Sequence, residues 1–214
     1  MFSGGGRLPN ALPEACMAQK QIERKTETKF LGMIIDSKLT WKQHSQFVLG
    51  KLSRMNGIFS KIKDDIPAKT LRVIYFSLFH CHLLYGLPFW SPVAKTHFQK
   101  TTTAQKKAIR HITKSGNREH CKPLFKKMSI LSLDDLKKYE MAKLIYNDLK
   151  GPKLFNFQQQ STIHSHNTRY STNLSLPLPR SNLLKDSVFF QGVRTFNALE
   201  NSIKNAESLS KFKK

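Results

Sequence analysis

The 214 residues carry 36 Lys and Arg against 14 Asp and Glu, a formal charge of +22, on a chain long enough for one generous domain or two small ones. A compact chain so charged repels itself unless salt or a polyanion offsets the field, so a polyanionic partner is expected. Three scattered cysteines, Cys16, Cys81 and Cys121, argue against a disulfide framework or zinc knuckle, and no apolar run reaches the roughly 20 residues of a membrane span.

Met1 to Arg7 carries Gly4, Gly5 and Gly6 where a secretory signal would have an apolar core, so the reading is intracellular, nuclear or cytoplasmic, and not secreted. Residues 1–26, rich in Gly, Pro, Gln and charge, read as a flexible leader. The short apolar run Lys29 to Asp36 has the length of a strand, with Gly32 marking a bulge or a close backbone approach. Thr40-Trp41-Lys42-Gln43 has the pattern of a capping box. From there Trp41, Val48, Leu52, Met55, Phe59 and Ile62 form one apolar helical stripe, with Lys42, Lys51, Arg54, Lys61 and Lys63 largely off it.

Pro67 suits the first turn of a second helix, which carries Leu71, Ile74, Tyr75, Leu78 and His82 and which Leu84 to Pro88 ends. A third helix, about Ala94 to Lys114, turns Phe98, Gln105, Ala108, Ile109 and Ile112 to a core. Its Lys106, Arg110 and Lys114 recur every four residues and, with Lys107, are the first choice for a phosphate-tracking face. Beyond Ser115-Gly116-Asn117, a short helix is expected over Pro123 to Met128 and a longer one from Ser132 to about Leu149. An irregular linker over 150–184 and a last helical region from Lys185 to Ile203 complete the chain. The fold class is therefore mainly α: a short N-terminal β element, a three-helix domain over 27–115, and a less regular helical region over 116–214. Charge does not gather in a tail, since 19 basic and 6 acidic residues precede Gly116 and 17 and 8 follow it.

Metal chemistry needs several converging ligands. Asp64-Asp65 sits at a helix end, and Asp134-Asp135 in a first turn, where carboxylates offset the helix dipole. His80-Cys81-His82 are helix neighbours about 100° apart and do not converge, while His111, His120 and Cys121 could meet on zinc only through folding. No nucleophile elbow, HExxH or phosphate-cradling glycine loop is present.

Taken in order, several segments resemble the C-terminal part of a non-LTR, jockey-like retrotransposon reverse transcriptase. They are Lys29 to Asp36 with Leu39 to His44, Tyr85-Gly86-Leu87-Pro88-Phe89-Trp90, Gln105 to Arg110, Pro123-Leu124-Phe125, His166-Asn167-Thr168-Arg169, Phe190-Gln191-Gly192 and Phe196-Asn197-Ala198-Leu199. The resemblance implies that Phe30, Leu31 and Gly32 belong to a primer-grip hairpin, that the helices from Thr40 to Lys114 form a thumb, and that the rest follows the thumb. The family's fingers, palm and aspartate metal site would precede Lys29, where the leader stands. The chain by itself is therefore expected to be non-catalytic, with no cofactor, Mg²⁺ being expected only in the intact family enzyme.

The leading functional expectation is a fragment that binds RNA, DNA or an RNA–DNA hybrid through backbone contacts. Its candidate contacts are Phe30, Leu31, Gly32, Lys42, Lys51, Arg54, Lys106, Lys107, Arg110, Lys114 and Arg169. Two other readings stand beside it: a module that docks on a partner polymerase through Trp41, Phe89 and Trp90, and a decayed copy without function.

Overall fold

The computed structural model describes residues 23–214 except Asn156, 164–172, Pro177 and 213–214, together with the backbone of Cys16–Met17 and Lys20–Gln21. The architecture is mainly helical, with short antiparallel pairs of strands at the N-terminal end. Inside the stretch expected to be a leader, β1 (Cys16–Met17) pairs with β2 (Lys20–Gln21). Among the described residues no helix is long and apolar enough to cross a membrane.

The run expected to be one strand is instead a hairpin, β3 (Glu27–Phe30) and β4 (Met33–Asp36), with Phe30 opposite Met33. Leu31 and Gly32 form its two-residue turn with φ of 46° and 80°. Positive φ at both central residues is the mirror-image turn whose twist matches the strands it joins. Gly32 thus serves the turn rather than a bulge, and Leu31 accepts a left-handed conformation that costs about 1–2 kcal/mol.

The chain then enters α1 (Lys42–Ile62) by a route the capping-box pattern did not foresee. Asp36, nearly buried, gathers three backbone N–H groups: Oδ1 accepts from Lys38 (3.1 Å) and Thr40 (3.0 Å), and Oδ2 from Trp41 (2.8 Å). Trp41, held in the left-handed region, is the cap residue, and no side chain caps the helix. A carboxylate that takes several N–H donors is a stronger organiser than a threonine hydroxyl.

Pro67 precedes α2 (Ala68–Ile74), which runs through a π-helical segment, Tyr75–His80, into α3 (Cys81–Leu84). The rod stops at Leu84, inside the stretch Leu84 to Pro88 expected to end it, and after Gly86 reverses the backbone Leu87-Pro88 starts a new turn, α4 (Leu87–Trp90). With α5 (Lys95–Thr113) and α6 (Cys121–Met128), these helices enclose a first core of Leu52, Phe59, Leu71, Tyr75, Phe79, Leu83, Trp90, Ile109 and Ile112. Each such side chain, wholly buried, is worth roughly 1.5–3 kcal/mol. The core crosses Ser115, taking in Leu124, Phe125, Leu133 and Leu136.

Helix α7 (Leu133–Lys150) begins where expected, with Ser132 Oγ accepting the Asp135 N–H at 3.3 Å. Its first turns complete the first core, and Ala142, Ile145 and Tyr146 open a second one with Leu174, Val193, Phe196 and Phe212. The last helical region is broken into α9 (Asn182–Asp186), α10 (Val188–Asn197), α11 (Asn201–Lys204) and α12 (Leu209–Phe212), with α8 (Gln160–Ile163) in the linker. A Cβ on Gly192 would lie 3.0 Å from Ile145 Cδ1, so glycine lets α10 approach α7 closely. Asn197 pairs with both main-chain groups of Leu174, accepting its N–H and donating to its carbonyl, each at 2.9 Å.

One buried side chain joins these parts. Gln105 Nε2 donates to Tyr75 Oη and to the Leu131 carbonyl, both at 3.0 Å, and its Oε1 accepts the Leu133 N–H at 2.8 Å. Gln105→Leu leaves Tyr75 Oη and the Leu133 N–H unpaired in a dry interior and frees the carbonyl of half-exposed Leu131. It should lower unfolding free energy by about 3 kcal/mol, read as a drop in urea midpoint at constant slope.

Candidate nucleic-acid interface

The hairpin tip projects from the body: Phe30 is 61% and Leu31 74% exposed. It is nevertheless fixed, because Tyr85 Oη donates a hydrogen bond to the Leu31 carbonyl and the Tyr85 ring lies 3.6 Å from where a Gly32 Cβ would stand. Two motifs 54 residues apart in sequence therefore meet at one corner. Trp90 Nε1 donates to the Tyr85 carbonyl at 3.0 Å, which ties that corner to the core.

Beneath the tip, His44 Nδ1 accepts the Ile34 N–H at 3.2 Å, and its ring meets those of Trp41 and Trp90 edge-on at 6.3 and 6.0 Å. Next along α1, the Phe47 ring carries Lys51 Nζ at 4.6 Å and Lys29 Nζ at 5.8 Å. Cations over an aromatic face are held in place without loss of charge. The field they make registers on nearby histidines. Burial first, then Lys51, holds His44 below its ordinary range; His82 is lowered by burial, Lys51 and Arg54.

The sequence candidates divide. Phe30, Leu31, Gly32, Lys51 and Arg54 belong to the hairpin and the helix it rests on. Lys42 is exposed, but nine residues from Lys51 on α1 places it on the opposite side. The expected row on α5 does not form one face. Lys106 and Arg110 line a groove against α6, whereas Lys107 lines a different one between α1 and α5. Lys114 is the left-handed residue that ends α5 and donates to the Asp64 carbonyl at 3.3 Å. The Arg110 guanidinium grips the Glu119 carbonyl through Nε (3.0 Å) and Nη2 (2.9 Å). Arg169 lies outside the described residues, with the rest of His166 to Arg169.

Two residues that were not among the candidate contacts matter here: Lys29, read as the start of the apolar run, and Tyr85, read at a helix end, both within segments that carry the family resemblance. A tyrosine beside glycine was the available signal, but nothing local says which carbonyl it reaches. Trp90 is corrected as a docking anchor: it is wholly buried, its indole N–H satisfied inside. Phe89 is 40% exposed and Trp41 half-buried, and with Leu183, Leu184, Val188 and Phe189 they line an apolar groove of about 630 Å³.

The acidic pairs do not fit a two-metal site. Asp64 and Asp65 are exposed at the turn after α1, and Asp135 Oδ2 accepts from Ser132 Oγ at 2.6 Å within the cap of α7. Among the described residues no group of three or more His, Cys, Asp or Glu is placed to hold a metal ion. The chain matches no family model, curated protein or solved structure.

His44, His80, His82 and His111 all have pKa values lowered in the fold, burial being the first cause in each. The unfolded chain therefore binds protons that the folded one refuses, and stability is full above about pH 6.5 and falls below it. The urea midpoint should decline from pH 7 to pH 5. His44→Asn, which keeps an acceptor for Ile34 and does not titrate, should flatten that decline; an unchanged pH profile would remove His44 from the account.

Proposed function

We propose that this chain is a non-catalytic, nucleic-acid-binding fragment of a reverse-transcriptase-like protein, holding a duplex such as an RNA–DNA hybrid against the β3–β4 hairpin and α1. The observation that carries the reading is the fixed hairpin tip. Tyr85 fixes the tip at Leu31 and Gly32, where Phe30 and Leu31 are exposed, and on the same hairpin Lys29 shares the Phe47 ring with Lys51 of α1. An apolar tip beside cations suits a polyanion with stacked bases, because phosphates meet the charge while sugar and base edges meet the tip. The overall charge of +22 supplies the attraction.

Charge compensation inside the fold supports the same reading. The ion pairs Lys143–Glu140 and Lys211–Glu207 join residues three and four apart. Other basic side chains reach main-chain carbonyl oxygens beyond their own helix, among them Arg72 that of Met128, Arg110 that of Glu119 and Lys114 that of Asp64. Such bonds position a cation but do not neutralise it.

Binding should be salt-dependent and tolerant of sequence. Replacing Lys29, Lys51 and Arg54 together by Gln should weaken hybrid binding at least tenfold and reduce the slope of log affinity against log salt by about 3, read by fluorescence anisotropy. Unchanged affinity and slope would assign that face to ordinary solvated surface. Primer extension by this chain alone with Mg²⁺ should yield no product.

A second reading, docking of a protein partner, draws on the apolar groove between Phe89 and Phe189. Capture of that partner would survive nuclease treatment, and nucleic-acid binding would survive Phe89→Ser.

A further inference from the structure

The expected phosphate-tracking row on α5 resolves into something different: a groove with cations on both walls. Lys106 and Arg110 line it from α5, Lys122 and Lys126 from α6, and Arg118 from the connecting loop. Within each helix the two cations are four residues apart. They therefore share a face and stand about 6 Å apart along the axis. The walls are held together from within. Cys121 packs in the first core with Leu124 and Phe125, and Arg110 fastens the loop by its double bond to the Glu119 carbonyl. The lining between the walls includes Phe125, Ile130 and Leu131, the last 46% exposed.

Three acidic residues, Glu119, Asp134 and Asp135, also line the groove, and Asp135 is engaged by Ser132. Five cations against three carboxylates leave an excess of positive charge. The groove is enclosed on too small a scale for a double helix. Its volume of about 580 Å³ is that of a site for a small organic ligand. A duplex could lie across its mouth but not enter it.

We infer that this groove takes a single strand of nucleic acid, its phosphates on the α5 and α6 walls and a base against the apolar lining at Leu131. Single-strand sites combine a positively charged channel for the backbone with an apolar platform for the bases, and they read little sequence. The inference rests on the duplex reading above and extends it. The hairpin face takes the paired region, and the groove takes an unpaired flank of the same molecule.

The test compares a blunt RNA–DNA hybrid of about 20 base pairs with the same hybrid carrying a single-stranded overhang of about six nucleotides, on the full chain by fluorescence anisotropy. The overhang should tighten binding by wild-type protein about tenfold. Lys122→Glu with Lys126→Glu, both exposed positions, should abolish that advantage and weaken blunt-hybrid binding no more than the charge control. That control, Lys150→Glu with Lys153→Glu, changes net charge equally and lies outside the groove; it should weaken both hybrids to a similar extent and keep the overhang advantage. Far-UV circular dichroism and urea midpoints identify any variant that has lost its fold, and Lys122→Gln with Lys126→Gln then serves in its place. Equal wild-type affinity for the two hybrids, or an overhang advantage that survives the groove variant, overturns the groove assignment and leaves the duplex reading intact. A chain that binds neither hybrid overturns the duplex reading itself.

Discussion

The arrangement of helices depends on the complete satisfaction of one buried amide. Gln105 lies in the middle of α5 with no solvent exposure, and its three hydrogen bonds reach the π-helical segment, the loop before α7 and the first residue of α7. Hydrophobic contact alone would permit α7 to slide or rotate against α5, because apolar packing has little directional preference. A desolvated amide with both donors used has one favourable pose, and any displacement leaves polar groups unpaired in a dry interior. Helix α7 in turn contributes to both cores, so the second core takes its starting point from this bond set.

The same economy governs the charge. Several basic side chains help hold the fold while remaining uncompensated cations, because their partners are carbonyl dipoles. Arg72 caps the end of α6 through the Met128 carbonyl and lies over the Phe76 ring at 4.8 Å, both interactions that leave its charge intact. A chain built in this way is stable and still strongly positive, which is the physical condition for meeting a polyanion as a folded body.

The apolar stripes of α1 and α5, the start of α7 at Ser132 and the mainly helical class follow from residue spacing. Period and capping are local, and the chain obeys them. Three local signals misled. A run of eight residues with strand-like apolarity contained its own turn, Leu31-Gly32, because a non-glycine residue accepted positive φ. The Thr-x-x-Gln pattern at Thr40 gave way to Asp36, whose two oxygens could reach three N–H groups. Of the α5 cations, Lys106 and Arg110 stayed on one face while Lys107 went to the groove against α1 and Lys114 ended the helix, a division set by what packs on either side, which periodicity does not contain.

The sequence by itself determined the helical class, the excess of cations, and which positions would be apolar, since these depend on composition and on contacts within a few residues. Only the tertiary structure decided that Tyr85 locks the turn at Leu31, that Trp90 is interior, and that Arg118, Lys122 and Lys126 face Lys106 and Arg110 across a groove. Those relations join residues far apart along the chain. Their geometry is set by how two cores and a buried amide fix the helices against one another, and no local pattern of side chains encodes it.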